Sequence, residues 1–167
     1  MSEVNTLLMN GWRQNRQQLE ALLTDVSTDG MTRQPHGVVN HPAWTIAHLI
    51  HYHPAILSLL RGEVVDDPAT ATDADLYDAG STPVHDSSLY PDRQTLLERY
   101  CNHHEQVIEL LAGVESATFD RPPGLPRWAE AFGTTDCALV YLMHVHEAMH
   151  IGQIMVWRRA MGWPPLE

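Results

Sequence analysis

Apolar residues recur every three or four positions along four stretches of the chain, and this spacing predicts four amphipathic helices. The predicted helices cover residues 4–26, 41–60, 91–111 and 135–161. Asn40 and Thr134 suit the N-cap positions of the second and fourth helices, and Pro42 suits a first helical turn. No stretch shows the strict alternation of a strand. The pattern predicts an all-α four-helix bundle that folds as one domain over residues 1–167.

The connection between the second and third predicted helices, residues 63–90, is long, acidic and contains Pro and Ser. A connection of this length is uncommon in a compact domain and indicates a crossover, a lid or a partly mobile loop. For its acidic first half, residues 63–78, a solvated loop is the simplest interpretation, and a lid over a pocket is the alternative.

Net charge, apolar runs and cysteine content restrict the partners and the cellular location that we expect. The formal net charge is −11, which disfavours binding to nucleic acid or to anionic lipid. No apolar run is long enough to span a bilayer, and the first residues lack the features of a signal peptide. Cys101 and Cys137 do not form a CxxC motif and are expected to be free thiols. We therefore expect a cytoplasmic protein with no membrane or nucleic-acid partner.

The chain contains 11 histidines, and two of them, His146 and His150, are four residues apart in the fourth predicted helix. This spacing places both imidazoles on one helix face, one turn apart. That face also carries Leu139, Met143 and Trp157, so it is predicted to point into the core. Buried imidazoles need partners, and one metal ion would satisfy both.

Residues 146–150 match the HExxH pattern of zinc metalloproteases, in which the glutamate is the general base. The 17 residues after His150 contain no His, Asp or Cys that could be a third ligand. No strand is predicted that could pair with a peptide substrate, so a protease is disfavoured. Glu147 lies about 100° around the helix from His146. It is either an acid/base group at the edge of the site, or it forms a salt bridge or orients a ligand histidine.

The third ligand is expected upstream, on another helix. His48 is the best candidate because it shares a face with Trp44, Ala47 and Ala55 in the second predicted helix. His51, one turn further on, is the natural substitute. His53 is predicted to lie at the surface or at the helix rim.

The remaining histidines, and the polar residues on the predicted inward faces, are less favoured as metal ligands. We expect solvent exposure for His36, His41, His85 and His144. His103 could be a fourth ligand or a pocket acid/base, but a core histidine bonded to a helix carbonyl is favoured. Three further residues are predicted to line the pocket or to hydrogen-bond the ligands: Asn15, Tyr100 and Gln153.

Two motifs resemble a known family. Residues 40–49, Asn-His-Pro-Ala-Trp-Thr-Ile-Ala-His-Leu, and residues 146–154, His-Glu-Ala-Met-His-Ile-Gly-Gln-Ile, are similar to the second-helix and last-helix signatures of the DinB-like superfamily, also called YfiT-type metal-dependent hydrolases. The resemblance implies a four-helix bundle, a metal site on His48, His146 and His150, and a homodimer. Relatives include S-transferases that use bacillithiol or mycothiol and a mycothiol-dependent isomerase.

Three neutral imidazoles suit Zn²⁺, Ni²⁺ or Fe²⁺, and geometry alone does not choose among them. We expect Zn²⁺ first, with Ni²⁺ or Fe²⁺ as alternatives. Three protein ligands leave a coordination position open, as in catalytic sites. The expected function is therefore a metal-dependent enzyme on small molecules, either a hydrolase or an S-transferase with a low-molecular-weight thiol as cosubstrate. The alternative is a non-catalytic, metal-stabilised binding or stress-response module.

Overall fold

The computed structural model describes residues 3–38 and 40–164, and within them it contains helices and no strand. The all-helical prediction is confirmed, while the ends of the predicted domain, residues 1–2 and 165–167, lie outside the described residues. In chain order the helices are α1 (Glu3–Leu23), α2 (Pro42–Arg61), α3 (Ala74–Tyr77), α4 (Arg93–Leu111), α5 (Ser116–Phe119), α6 (Pro126–Phe132), α7 (Thr135–Val140), a π-helix (Tyr141–His146) and α8 (Glu147–Ala160). Short 3₁₀ turns lie at Thr28–Gly30, Pro35–Gly37, Pro68–Thr70 and Ser87–Leu89. None of the helices in this part of the chain is long and apolar enough to cross a membrane.

The long helical segments enclose the core in a ring of contacts. Helix α1 packs against α4 and α8, and α2 packs against the same two helices from the other side. The π-helix joins α7 to α8, so residues 135–160 form one continuous segment that corresponds to the fourth predicted helix. The centre of the ring is filled by large side chains, among them Trp12, Tyr100 and Trp157.

Helix α4 turns a slightly different face inward from the one predicted. Leu96, Tyr100 and Val107 are buried as expected, but His104 and Leu111 are buried where His103 and Leu110 were predicted. The prediction followed the 3.5-residue period of a coiled-coil seam, whereas a straight helix has 3.6 residues per turn, so its inward face drifts along the sequence. His103 is half-buried and its Nδ1 has no hydrogen-bond partner, so the predicted bond to a helix carbonyl is absent.

The start of α2 corrects two predictions. His41, not Asn40, is the N-cap, because its Nδ1 accepts a hydrogen bond from the Trp44 amide at 3.2 Å. Nε2 of His41 then carries the proton and donates to the Val84 carbonyl at 3.0 Å. With both nitrogens bonded, His41 is fully buried rather than solvent-exposed. Asn40 instead donates to Gln153 at 2.8 Å.

Helix α1 packs against the π-helix and is hydrogen-bonded to it. A π-turn is wider than an α-turn and commonly occurs at functional sites. Asn15 donates to the carbonyl of Met143 in this turn at 3.0 Å. His144, predicted to be exposed, is half-buried and bonds the Leu8 carbonyl through Nε2 at 3.0 Å. Gly11 leaves the room for this ring, because a Cβ there would lie 2.8 Å from it.

Gly11→Ala is therefore expected to destabilise the protein by about 1–3 kcal/mol, since the His144 ring must move and its bond to Leu8 weakens. The thermal midpoint should fall by roughly 2–4 °C per kcal/mol for a chain of this size. Asn10→Ala, at the neighbouring exposed position of α1, is the control. Equal midpoints for the two variants would contradict the packing of α1 on the π-helix.

Part of the connection between α2 and α4 packs on α2, while Glu63, Asp66 and Asp75 in its acidic half are exposed. Helix α3 and the turns beside it contact α2. The indole of Trp44 donates to the Leu76 carbonyl and to the Ser81 hydroxyl, each at 3.0 Å. The connection thereby covers the part of α2 that carries His48.

Candidate metal centre

Three histidines from two sides of the core bring their ring nitrogens together. His48 lies in α2, His146 ends the π-helix, and His150 lies one turn into α8. The Nε2 atom of His146 is 3.1 Å from Nε2 of His48 and 3.2 Å from Nε2 of His150. His48 and His150 are buried, and His146 is half-buried. The three nitrogens are close enough to bind one metal ion.

The outer nitrogens of two of these rings fix their tautomers. Nδ1 of His48 lies 2.5 Å from the Tyr77 carbonyl, and Nδ1 of His150 lies 2.9 Å from the Gln153 side-chain oxygen. Both partners are acceptors, so both rings carry their proton on Nδ1. Their Nε2 atoms therefore present lone pairs to His146, and its single Nε2 can donate to only one of them. At least one of the two short contacts therefore lacks a well-directed hydrogen bond, and a metal ion bound to all three Nε2 atoms would replace both contacts.

The protonation of the three rings also suits a metal. Burial, reinforced by the neighbouring histidines, lowers the pKa of His146 to about 3 and the pKa of His150 to about 4. Burial is also the main cause of the lowered pKa of His48. All three rings are therefore neutral near pH 7, which is the form that binds metals. The donor set and its protonation fit a divalent transition metal.

Aromatic side chains and the connection surround the three rings. Trp44 stacks on His48, with ring centroids 4.7 Å apart. Tyr52 packs edge-on against His48 and donates its hydroxyl to Asp78 at 2.5 Å. His51, the alternative ligand, is not among the three, because its Nδ1 pairs with Asp73 at 3.0 Å.

A cavity of about 440 Å³ opens beside His146. Its walls are mostly aromatic and apolar, formed by Tyr52, Trp128, Phe132, Tyr141 and Leu142. Arg127, also in the lining, pairs with Asp67, and its Nε lies 3.0 Å from Oδ2. The α6 residues were not predicted as site residues, since nothing in a short segment after a Pro-rich loop indicates which helix it will cover.

Of the other predicted site residues, one contacts the three-histidine cluster and the rest form hydrogen bonds elsewhere. Gln153 bonds a candidate ligand, as expected for a supporting residue. Asn15 bonds the backbone of the π-helix instead of lining the cavity. Glu147 and Tyr100 are both fully buried and bond each other at 2.5 Å, and Glu147 also bonds His104 at 2.7 Å. These contacts engage Glu147 away from the three histidine nitrogens.

The predicted burial of the remaining histidines is confirmed for some of them and wrong for others. His53, predicted at the surface, is only 1% exposed, because α2 is buried on almost every side. His36 and His85 are exposed as expected, and Nδ1 of His85 bonds the Thr32 carbonyl. The sequence reasoning missed His104, whose signal was its position four residues after Tyr100.

Fold and site together define an all-helical protein with a histidine cluster that could bind a metal beside an apolar cavity. A comparison with known protein families matches residues 12–154 to the DinB superfamily, and the chain belongs to that superfamily. A search of curated proteins found no match.

Proposed function

We propose that this protein is a metal-dependent enzyme that acts on small molecules, with His48, His146 and His150 as the ligands of one divalent ion. The observation that carries the proposal is the pair of short Nε2 contacts among three neutral imidazoles. Zn²⁺ suits this donor set best, and Ni²⁺ or Fe²⁺ are alternatives. When bound, the ion would supply Lewis acidity and activate a water molecule or a low-molecular-weight thiol as a nucleophile.

The protein's own residues orient the ligand rings and keep water out of the cavity beside them. Tyr77 and Gln153 hold two ligand rings so that their lone pairs face inward. His146 borders the cavity, so a substrate held there lies next to the site. The aromatic walls of the cavity would exclude water and favour an apolar substrate. Burial and Asp78 hold the pKa of Tyr52 well above its ordinary value, so its hydroxyl stays protonated at the cavity wall.

Hydrolysis and thiol transfer differ only in the nucleophile, so one screen separates them. The metal-loaded protein is given esters, amides and small apolar electrophiles, each with water alone and with bacillithiol, mycothiol or glutathione. Turnover that requires a thiol would identify an S-transferase, and turnover with water alone a hydrolase. No turnover under any condition would overturn the proposal of an enzyme.

Removing the metal tests the alternative of a non-catalytic, metal-stabilised binding module. For an enzyme, chelation should abolish turnover and leave the helical circular dichroism signal intact. Loss of the helical signal on chelation, with no turnover in the loaded protein, would identify a structural ion instead.

We also propose that the protein forms a homodimer through the outer face of its last helical segment. Val145, Met149 and Val156 form an exposed apolar stripe there, with Met149 52% and Val156 57% exposed. A contiguous exposed apolar patch is typical of a protein interface.

Met149→Glu combined with Val156→Glu is expected to convert the dimer to a monomer, because each protomer would then bury two unpaired charges in the interface. Light scattering coupled to size-exclusion chromatography measures the mass. Val64→Glu, at an 80% exposed position outside the stripe, is the control and should remain dimeric. A wild-type protein that elutes as a monomer would contradict the proposal.

A further inference from the structure

A second cluster of metal-ligating side chains lies in the core of the protein. It consists of His53 from α2, His104 from α4 and Glu147 from α8, with exposed fractions of 1%, 0% and 0%. Each offers one ligand atom, and these atoms lie within 4.8 Å of one another. Trp12 from α1 stacks on His104, with ring centroids 3.8 Å apart.

The hydrogen bonds in this cluster leave several buried polar atoms without partners. Oε1 of Glu147 accepts from the Tyr100 hydroxyl at 2.5 Å and from Nε2 of His104 at 2.7 Å. Oε2 of Glu147 has no partner, nor has Nδ1 of His104 or Nδ1 of His53. Each buried polar atom left unpaired costs about 1–3 kcal/mol. Three such atoms on the residues of one buried cluster indicate a group that the protein chain does not itself supply.

The donor atoms of the cluster suit a cation. A carboxylate oxygen and two imidazole nitrogens are among the ligands that divalent transition metals prefer in proteins. A positive charge beside Glu147 would also offset the cost of burying its carboxylate. His53 does not carry that charge, because burial holds its pKa well below the ordinary value. A water molecule is the alternative occupant, and it would give no anomalous diffraction signal.

We propose that His53, His104 and Glu147 bind a second divalent metal ion. Two nitrogens and one carboxylate oxygen suit Zn²⁺, Fe²⁺ or Mn²⁺. Bonds of about 2.1 Å to a common ion require the ligand atoms to lie within about 4.2 Å of one another, so small side-chain rotations complete the site. Tyr100 would orient the carboxylate through its hydrogen bond.

This second ion has a structural role. Its ligands are closed off from solvent, as in structural rather than catalytic sites. It links α2, α4 and α8 through the core, and Glu147 directly follows His146 in the chain. Binding of the second ion therefore fixes the junction between the π-helix and α8, from which His146 projects.

Counting ions in purified protein tests the proposal. Zn²⁺, Mn²⁺ and Fe²⁺ are each added alone, excess ion is removed by gel filtration, and metal per chain is measured by mass spectrometry. The wild type should hold two ions with at least one of these metals, and His150→Ala should lose one of them. Glu147→Gln preserves side-chain size but removes the charge, so it should lose the other. His103→Ala, beside the cluster but outside the ligand set, should keep both ions.

Anomalous diffraction from wild-type crystals locates the ions without any variant, so a misfolded variant cannot obscure the result. A peak between His53, His104 and Glu147 would support the proposal, and an ordered water there without anomalous signal would overturn it. A Glu147→Gln protein that retains the wild-type ion count would also overturn it. Because His150→Ala and Glu147→Gln remove different ions, failure of the three-histidine site is distinguishable from failure of this one.

Discussion

His146→Ala is expected to weaken metal binding at the three-histidine site by more than about 100-fold. Loss of a group that merely supports a ligand already costs about 10–100-fold, and His146 is the ring that both other nitrogens face. Turnover should fall with occupancy, while the substituted position, at the edge of a cavity, should leave the fold intact.

Competition against a chromophoric chelator measures the affinity, and metal analysis shows which ion is lost. His85→Ala is the control, because that ring is exposed and bonded to the Thr32 carbonyl, outside both clusters. A His146→Ala protein that binds zinc as tightly as the His85→Ala protein would refute the ligand assignment.

Acid is expected to destabilise the metal-free protein steeply, starting well above the pKa values of the folded site. The pKa is about 3 for folded His146 and about 4 for folded His150, against about 6.5 for an unfolded histidine. Between about pH 6.5 and 4 the unfolded chain binds more protons than the folded one, so stability falls as pH falls. Each of the two histidines contributes about 1.4 kcal/mol per pH unit in this window.

Urea unfolding of the metal-free protein at several pH values between 7 and 4.5 measures this slope. His150→Gln removes one of the titrating groups and isolates its share from that of other histidines and carboxylates. Its slope should be smaller than the wild-type slope by about 1.4 kcal/mol per pH unit. Identical slopes would show that His150 is not held neutral in the folded protein. Because folded His146 and His150 stay neutral until the pH approaches about 4, these two ligands should still be available to a metal ion well below pH 6.

The three-histidine cluster could be predicted because its signals are local. The four-residue spacing of His146 and His150 defines a helix face by itself, and His48 stands among the small and aromatic residues of a second such face. Neither inference depends on how the helices are arranged.

The second cluster was missed because it depends on small differences in which side of each helix faces the core. His104 and His103 differ by one position, and only the drift of a straight helix relative to a heptad decides which points inward. His53 looked peripheral because a single inward face was assumed for α2, which is buried on nearly all sides. The π-helix adds one residue to a turn, and no residue type marks that change.

The carbonyl of Tyr77 that orients His48 belongs to the backbone and not to a side chain. Any residue at position 77 carries this carbonyl, so the bond to His48 depends on the position of the backbone rather than on the identity of the side chain. A one-residue insertion or deletion between α2 and α3 would displace that oxygen and release the ring. In comparisons among relatives, the length of this segment should therefore be a better indicator of an intact site than the identity of its residues.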